Sequence, residues 1–162
     1  MIDLTGRARD PLGVESASLN VFIFVRTDCP ISNRYAPEIS RLQRKYSRKG
    51  ISFWLVYPDP DESVAAIREH QRQFQLALPA LRDGEQRLVK WAHASVTPEA
   101  AVFTKDGTEL YHGRIDDRNV EIGETRAEPR VRDLEVVIAK YLGGDVTITP
   151  ATRAVGCFIE AK

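Results

Sequence analysis

A short apolar run near the start of the chain constrains the fold most. Residues 21–25, Val-Phe-Ile-Phe-Val, are β-branched or aromatic without a polar break. The run is too short for a buried helix, and an unbroken apolar run is typical of a strand that is covered on both faces. It therefore predicts a central strand, over about residues 20–26.

The segment after this strand places a cysteine at a chemically distinctive position. Residues 27–30, Thr-Asp-Cys-Pro, break the strand, and an amphipathic helix follows with apolar residues at spacings of three and four. Free N–H groups and the helix dipole favour negative charge at the helix start, so we expect the pKa of the Cys29 thiol to lie below its usual value of about 8.5. Arg26 and Arg34 favour the thiolate and Asp28 opposes it, so the expected lowering is modest.

The remaining pattern alternates strands and helices. It predicts helices over about 33–48, 62–74, 84–93 and 131–142, strands over 51–57, 99–104 and 109–115, and a short extended piece at 78–83. Pro37 predicts a kink or a restart inside the first helix. On the helix over 84–93, Leu88 and Trp91 are expected to face inward. The alternation calls for parallel strands with right-handed crossovers, and the Lys105-Asp106-Gly107 turn adds an antiparallel pair.

The predicted fold class is accordingly α/β, a three-layer α/β/α sandwich with a mixed central sheet. We expect it to occupy residues 1–144. Residues 145–162 are expected to form a C-terminal tail that carries Cys157 and packs on the same domain.

Composition excludes several classes of function. Lys and Arg total 23 and so do Asp and Glu, so the formal net charge is zero, which argues against nucleic acid or an anionic membrane as a partner. No apolar run is long enough to span a bilayer. The first residues lack the basic start and apolar core of a signal peptide. We therefore expect a cytoplasmic protein, with the periplasm open if a leader precedes this sequence.

The cysteine and histidine content argues against a metal centre. The chain has two cysteines, Cys29 and Cys157, too few for a disulfide framework or a four-thiolate zinc site. His70, His93 and His112 lack metal-ligand spacing and are interpreted as surface or packing residues. Asp116-Asp117 is interpreted as part of a solvated salt-bridge network. We expect no metal and no cofactor.

Three stretches together resemble the thioredoxin-like superfamily, in particular its TlpA and AhpC/TSA (redoxin) branches. They are the strand–Cys29–helix unit, "LPALRD" at 78–83, and "TPEAAVFTKDGTELYHG" at 97–113. The resemblance covers roughly residues 3–142. It implies the thioredoxin-like fold, a reactive thiol at Cys29, and a cis-proline at Pro98 beside it, preceded by Thr97. The surrounding binding residues would be Thr27, Pro30, Ser32, Asn33, Thr97 and Pro98.

The chain departs from the patterns of each named branch. A TlpA-type site is Cys-x-x-Cys, but Ser32 stands at its second cysteine position. A peroxiredoxin-type site is Thr-x-x-Cys, but Arg26 stands at its threonine position. The residues Thr97-Pro98-Glu99 stand where the peroxide-activating arginine is expected. Asn33 stands where a Sco-type copper chaperone has its second cysteine.

Several roles stay open at this point. Cys157 either resolves an oxidised Cys29, packs as part of an edge strand, or pairs between chains. Ser32 and Asn33 either donate hydrogen bonds to the Cys29 thiolate or act as N-caps of the helix, and capping is favoured.

Two functions from different classes fit these observations. The first is a thiol-dependent oxidoreductase in which Cys29 attacks a protein or small-molecule disulfide, or a peroxide, and Cys157 or an external thiol reductant resolves the product. Disulfide exchange is favoured because the peroxide-activating Thr and Arg are absent. The second is a non-catalytic binding module that holds an extended partner, or Cu(I) through Cys29 and Cys157.

Overall fold

A mixed sheet with helices on both faces forms the molecule, as the sequence predicts. The computed structural model describes residues 1–160. Its strands are β1 (Ile2–Asp3), β2 (Leu19–Phe24), β3 (Ile51–Tyr57), β4 (Ala80–Arg82), β5 (Val96–Thr97), β6 (Glu99–Thr104), β7 (Glu109–Gly113), β8 (Asn119–Glu121), β9 (Glu124–Thr125) and β10 (Cys157–Phe158). Its helices are α1 (Pro30–Arg34), α2 (Ala36–Tyr46), α3 (Val64–Gln73), α4 (Arg87–Trp91) and α5 (Asp133–Leu142).

The main sheet has six strands in the order β1-β4-β3-β2-β6-β7. Strands β2, β3 and β4 are parallel to one another, whereas β6 and β7 add an antiparallel hairpin beside β2. Strand β2 therefore lies in the interior of the sheet, between β3 and β6. This topology is the mixed sheet that the sequence predicts.

The unbroken apolar run in β2 is explained by burial on both faces. Val21 and Ile23 belong to the larger apolar cluster, which also contains side chains of α2, α3 and α5. Phe22 and Phe24 point to the opposite face and belong to a smaller cluster that includes residues of α4. Every residue of β2 is buried, so the strand has no polar face to alternate with.

The first helical region is two helices instead of one. Helix α1 ends at Arg34 and α2 begins at Ala36. Pro37 occupies the first turn of α2, where its missing N–H leaves no hydrogen bond unmade. The predicted restart is thus present, and the break lies at Tyr35, two residues before Pro37.

Helix α4 is shorter than the predicted helix over residues 84–93. The Asp83 carboxylate accepts hydrogen bonds from the N–H groups of Arg87, Leu88 and Val89, which fixes the start of the helix. The inward position expected for Trp91 is wrong, because 40% of this side chain is exposed. Its ring nevertheless stacks on Phe103 at the sheet surface.

The acidic pair Asp116-Asp117 is buried, so its interpretation as a solvated network is wrong. Asp116 accepts a 2.7 Å hydrogen bond from the Tyr35 hydroxyl. Asp117 accepts from the N–H groups of Arg130 and Val131. These bonds hold the loop after β7 against the start of α2 and the segment before α5. The pair is structural because both carboxylates are occupied by these donors.

The C-terminal tail runs back across the sheet edge. The Thr149 N–H donates to Leu110 O at 2.8 Å, and the Thr152 N–H donates to His112 O at 3.3 Å, both on β7. Strand β10 then pairs antiparallel with β5, with Cys157 opposite Thr97. The Ile159 N–H extends this contact to Ser95 O at 2.9 Å. Among the residues described, no helix is long and apolar enough to cross a membrane.

The buried bond between Tyr35 and Asp116 should contribute to stability. The substitution Tyr35→Phe leaves a fully enclosed carboxylate short of one donor, which should lower the free energy of unfolding by about 1–3 kcal/mol. Tyr141→Phe is the matched control, because its hydroxyl donates to Ser18 O in an exposed position, and its effect should stay within about 0.5 kcal/mol. Equilibrium urea unfolding measures both. Equal losses in the two variants would contradict the structural role of Asp116.

Candidate active site

Cys29 is the N-cap residue of α1. Its backbone is extended, and its Sγ accepts a hydrogen bond from the Ser32 N–H at 3.4 Å. In its protonated form the thiol donates to Thr97 O at 3.1 Å. The favoured capping roles of Ser32 and Asn33 are therefore wrong, because Cys29 itself supplies the cap. Only 1% of Cys29 is exposed, so the sulfur is enclosed in the structure.

The proline loop lies directly against this sulfur. The Thr97–Pro98 peptide bond is cis, and Thr97 is fully buried. Besides accepting from Cys29, Thr97 donates through its hydroxyl to Cys157 O at 3.5 Å. Thr97 thus contacts both cysteines, although they stand at opposite ends of the sequence.

Cys157 lies on the tail strand beside Cys29. Its pairing with Thr97 sets its position, and its partly buried side chain packs against the larger apolar cluster, to which Cys29 belongs. The two thiols lie close enough to shift each other's pKa, and both are free of disulfides. The structure therefore brings together the two cysteines for which the sequence left several roles open.

The two thiols have opposite acidities. Burial alone would raise the pKa of Cys29, but its interactions with Cys157, with Ser32 and with Thr97 outweigh burial and lower that pKa. Burial, the hydrogen bond to Cys29 and the charge of Cys29 raise the pKa of Cys157 to about 11. Of the two thiols, Cys29 is consequently the one that loses its proton at the lower pH.

The charged residues beside Cys29 act mainly on Cys157. Asp28 forms a salt bridge with Arg26 at 3.1 Å. Arg26 also contacts Asp59 at 3.3 Å. The guanidinium lowers the pKa of Cys157, and the Asp28 carboxylate raises it. The Asp28 carboxylate thus disfavours ionisation of the second thiol.

Gly156 allows the tail to approach this closely. A Cβ atom at this position would lie 2.1 Å from Thr97 O and 2.6 Å from the Thr97 carbonyl carbon. No side chain fits there without moving one of the two backbones. Sequence reasoning missed this residue, although the Gly156-Cys157 dipeptide carried the signal of a close backbone approach.

A buried polar network holds the loop before Cys29. Asn33 donates to Thr27 O at 3.3 Å and accepts from His70 Nε2 at 2.8 Å, while His70 Nδ1 contacts the Tyr57 hydroxyl at 2.8 Å. Glu62 accepts a 2.6 Å bond from the Thr27 N–H. Burial lowers the pKa of His70 and raises that of Glu62. Sequence reasoning did not connect His70 or Glu62 to the site, because both lie on later elements.

The other predicted binding residues do not all face the sulfurs. Thr27 and Asn33 shape the loop through the network just described. Pro30 is exposed at the start of α1. Ser32 is buried and acts on Cys29 directly. Within residues 1–160, no group of three His, Cys, Asp or Glu side chains is placed to hold a metal ion.

Comparison with solved structures identifies the fold. No protein-family model matches the chain, and no curated protein matches it in sequence. An uncharacterized conserved protein from Geobacillus kaustophilus is 23% identical with a TM-score of 0.82, over 100% of this chain and 87% of that one. A hypothetical protein from Sinorhizobium meliloti is 18% identical with a TM-score of 0.83, over 98% of this chain and 88% of that one.

A more distant likeness carries a functional description. A thiol:disulfide interchange protein of the thioredoxin family from Chlorobium tepidum is 13% identical with a TM-score of 0.63, over 88% of this chain and 92% of that one. At such identities the likeness shows the fold, which is thioredoxin-like, as the sequence predicts. The assignment to the TlpA or AhpC/TSA branch stays a prediction.

The hydrogen bond from Cys157 should tune the acidity of Cys29. Cys157→Ala removes this donor, so the pKa of Cys29 should rise relative to wild type, whereas Cys157→Ser keeps a hydroxyl donor and should raise it less. Ultraviolet absorbance of the thiolate against pH measures both. In wild type the first midpoint should lie below about 8.5, and thiolate should disappear as the pH falls through it. An unchanged midpoint in Cys157→Ala would contradict the assigned interaction.

A side chain at Gly156 should uncover Cys29. In a Cys157→Ser background, Gly156→Ala should speed alkylation of Cys29 by iodoacetamide. An overlap that costs about 1–3 kcal/mol raises the detached population roughly fivefold to a hundredfold. Gly143→Ala is the control, because its Cβ would meet nothing closer than 3.4 Å. Equal alkylation rates in the two variants would contradict the role of the tail as the cover of Cys29.

Proposed function

We propose that the chain is a thiol–disulfide oxidoreductase whose redox pair is Cys29 and Cys157. The observation that carries this proposal is the pairing of β10 with β5, which sets the Cys157 thiol against Cys29. A second cysteine at this place supplies the resolving thiol that Ser32 does not provide. The thioredoxin-like fold supports the proposal, since the Chlorobium tepidum interchange protein has it as well.

The proposed reaction is a two-electron exchange. The reduced pair converts a disulfide R–S–S–R′ to the two thiols R–SH and R′–SH and becomes a Cys29–Cys157 disulfide. An external thiol reductant returns it to the dithiol. The unequal acidities of the two sulfurs suit this cycle, because one thiolate is ready to attack or leave while its neighbour supplies a proton.

Disulfides suit the site better than peroxides. A peroxide site needs donors that stabilise the leaving hydroxide next to the sulfur. The nearest arginine in the sequence, Arg26, is engaged by Asp28 and Asp59. Thr27 contributes its N–H to Glu62 and its carbonyl to Asn33, which leaves its backbone committed to the loop.

The adjacency of two soft sulfur ligands also favours a second candidate, a binding module that holds Cu(I) between Cys29 and Cys157 without turnover. Copper content after purification under reducing conditions separates the two candidates. Stoichiometric copper that is lost in Cys157→Ser supports the binding module.

Reduction of insulin disulfides, with dithiothreitol as thiol donor, tests the proposed function. Cys29→Ser and Cys157→Ser should each bring the rate to the uncatalysed background, because the internal disulfide needs both sulfurs. Ser47→Ala, an exposed change at the end of α2, should leave the rate at wild type. Hydrogen peroxide consumption is followed in parallel and should be slow. Wild-type insulin reduction by either cysteine variant, or rapid peroxide consumption without insulin reduction, would refute the proposal.

A further inference from the structure

The two sulfurs of the pair differ in their access to solvent. Cys29 is 1% exposed and is enclosed by Thr97 O, the Ser32 N–H and the larger apolar cluster. Cys157 is partly exposed on a tail strand whose next residue, Phe158, is 73% exposed. A molecule that arrives from solvent therefore meets Cys157 first.

The geometry of thiol–disulfide exchange strengthens this difference. A thiolate attacks one sulfur of a disulfide from the side opposite the sulfur that leaves. In a Cys29–Cys157 disulfide, attack on Cys29 would have to come from the side away from Cys157. Cys29 is buried in the larger apolar cluster at the start of α1, so an external thiolate has no open path to it. Cys157 is partly exposed, so attack on its sulfur meets less obstruction.

The leaving tendencies of the two sulfurs also favour attack on Cys157. The sulfur with the lower thiol pKa leaves faster, and the pKa of Cys29 is lowered whereas that of Cys157 is raised. Expelled Cys29 thiolate is received by the Ser32 N–H. Attack on Cys157 thus combines the open approach with the better leaving group.

We propose that Cys157 is the sulfur that exchanges with external thiols and disulfides, and that Cys29 acts only as its internal partner. This rests on the proposed function. It reverses the order that the resemblance to thioredoxin-like proteins implies, in which Cys29 would attack the substrate first.

In the reversed order, the protein is reduced in two successive exchange steps, both at Cys157. In reduction of the protein, a thiolate R–S⁻ bonds to Cys157 Sγ, the Cys157–Cys29 bond breaks, and Cys29 leaves as thiolate. A second thiolate R′–S⁻ then attacks the R sulfur, which releases R–S–S–R′ and the Cys157 thiolate, and the latter takes a proton from solvent.

In reduction of a substrate, the Cys157 proton passes to Cys29 Sγ along their hydrogen bond as Cys157 attacks R–S–S–R′ and R′–S⁻ leaves. Cys29 passes this proton to the released R′–S⁻, its thiolate then attacks Cys157 Sγ, and the expelled R–S⁻ takes a proton from solvent. The two half-reactions therefore use the same mixed disulfide, on Cys157.

Mapping the mixed disulfide tests this order. Oxidised protein is mixed with limiting glutathione, quenched at early times with acid, alkylated with N-ethylmaleimide and digested with trypsin, which separates Cys29 in peptide 27–34 from Cys157 in peptide 154–162. Glutathione should be on Cys157 and N-ethylmaleimide on Cys29, in excess over the reverse pattern by about tenfold or more.

The same oxidised protein unfolded in urea is the control, and its selectivity should fall toward parity because both sulfurs are then open to solvent. Glutathione mainly on Cys29, or equal labelling in the folded protein, overturns the inference and leaves the proposed function standing. Failure to form any Cys29–Cys157 disulfide overturns both.

Discussion

The antiparallel pairing of Cys157 with Thr97 is the contact on which the rest of the site depends. It brings a residue from the end of the chain to the loop that carries the cis peptide bond and so to Cys29. Hydrogen bonds on both sides of the strand support it, from Thr149 and Thr152 to β7, from Ile159 N–H to Ser95 O, and from the Gln86 amide to Glu160 O at 2.6 Å. Since each hydrogen bond contributes about 1 kcal/mol net, these bonds together hold the tail in the register that positions the Cys157 thiol.

At this contact, the interaction between the two sulfurs makes their pKa values unequal. Burial raises the pKa of each thiol. At Cys29 the interaction with Cys157, together with those of Ser32 and Thr97, outweighs burial, whereas at Cys157 the interaction with Cys29 adds to it. A helix start and a single N–H to sulfur bond, at Ser32, complete the stabilisation of the thiolate. In the proposed function, Cys157 on a different element takes the place of the cysteine that is missing at position 32, and the Ser32 N–H contacts the Cys29 sulfur.

The sequence predicted the features that depend on neighbouring residues. It missed the features that depend on contacts between distant segments of the chain. The apolar run in β2 and the break at Cys29 determined the central strand and the position of the thiol, because both follow from residues adjacent in the chain. The burial of Asp116 and the role of Gly156 depend on segments far away in sequence, and no local periodicity reports them. The position of Trp91 was misjudged for a related reason, since one face of its ring stacks on Phe103 while 40% of the residue stays exposed.

A redox titration in glutathione buffers tests the central claim most directly, namely that the tail makes Cys29 and Cys157 one redox unit. The samples are quenched with acid and alkylated with a mass tag. Both thiols should be lost together in a single two-electron transition, and no disulfide should form between chains. Independent oxidation of the two cysteines, each with its own glutathione adduct, or a disulfide between chains would contradict the account.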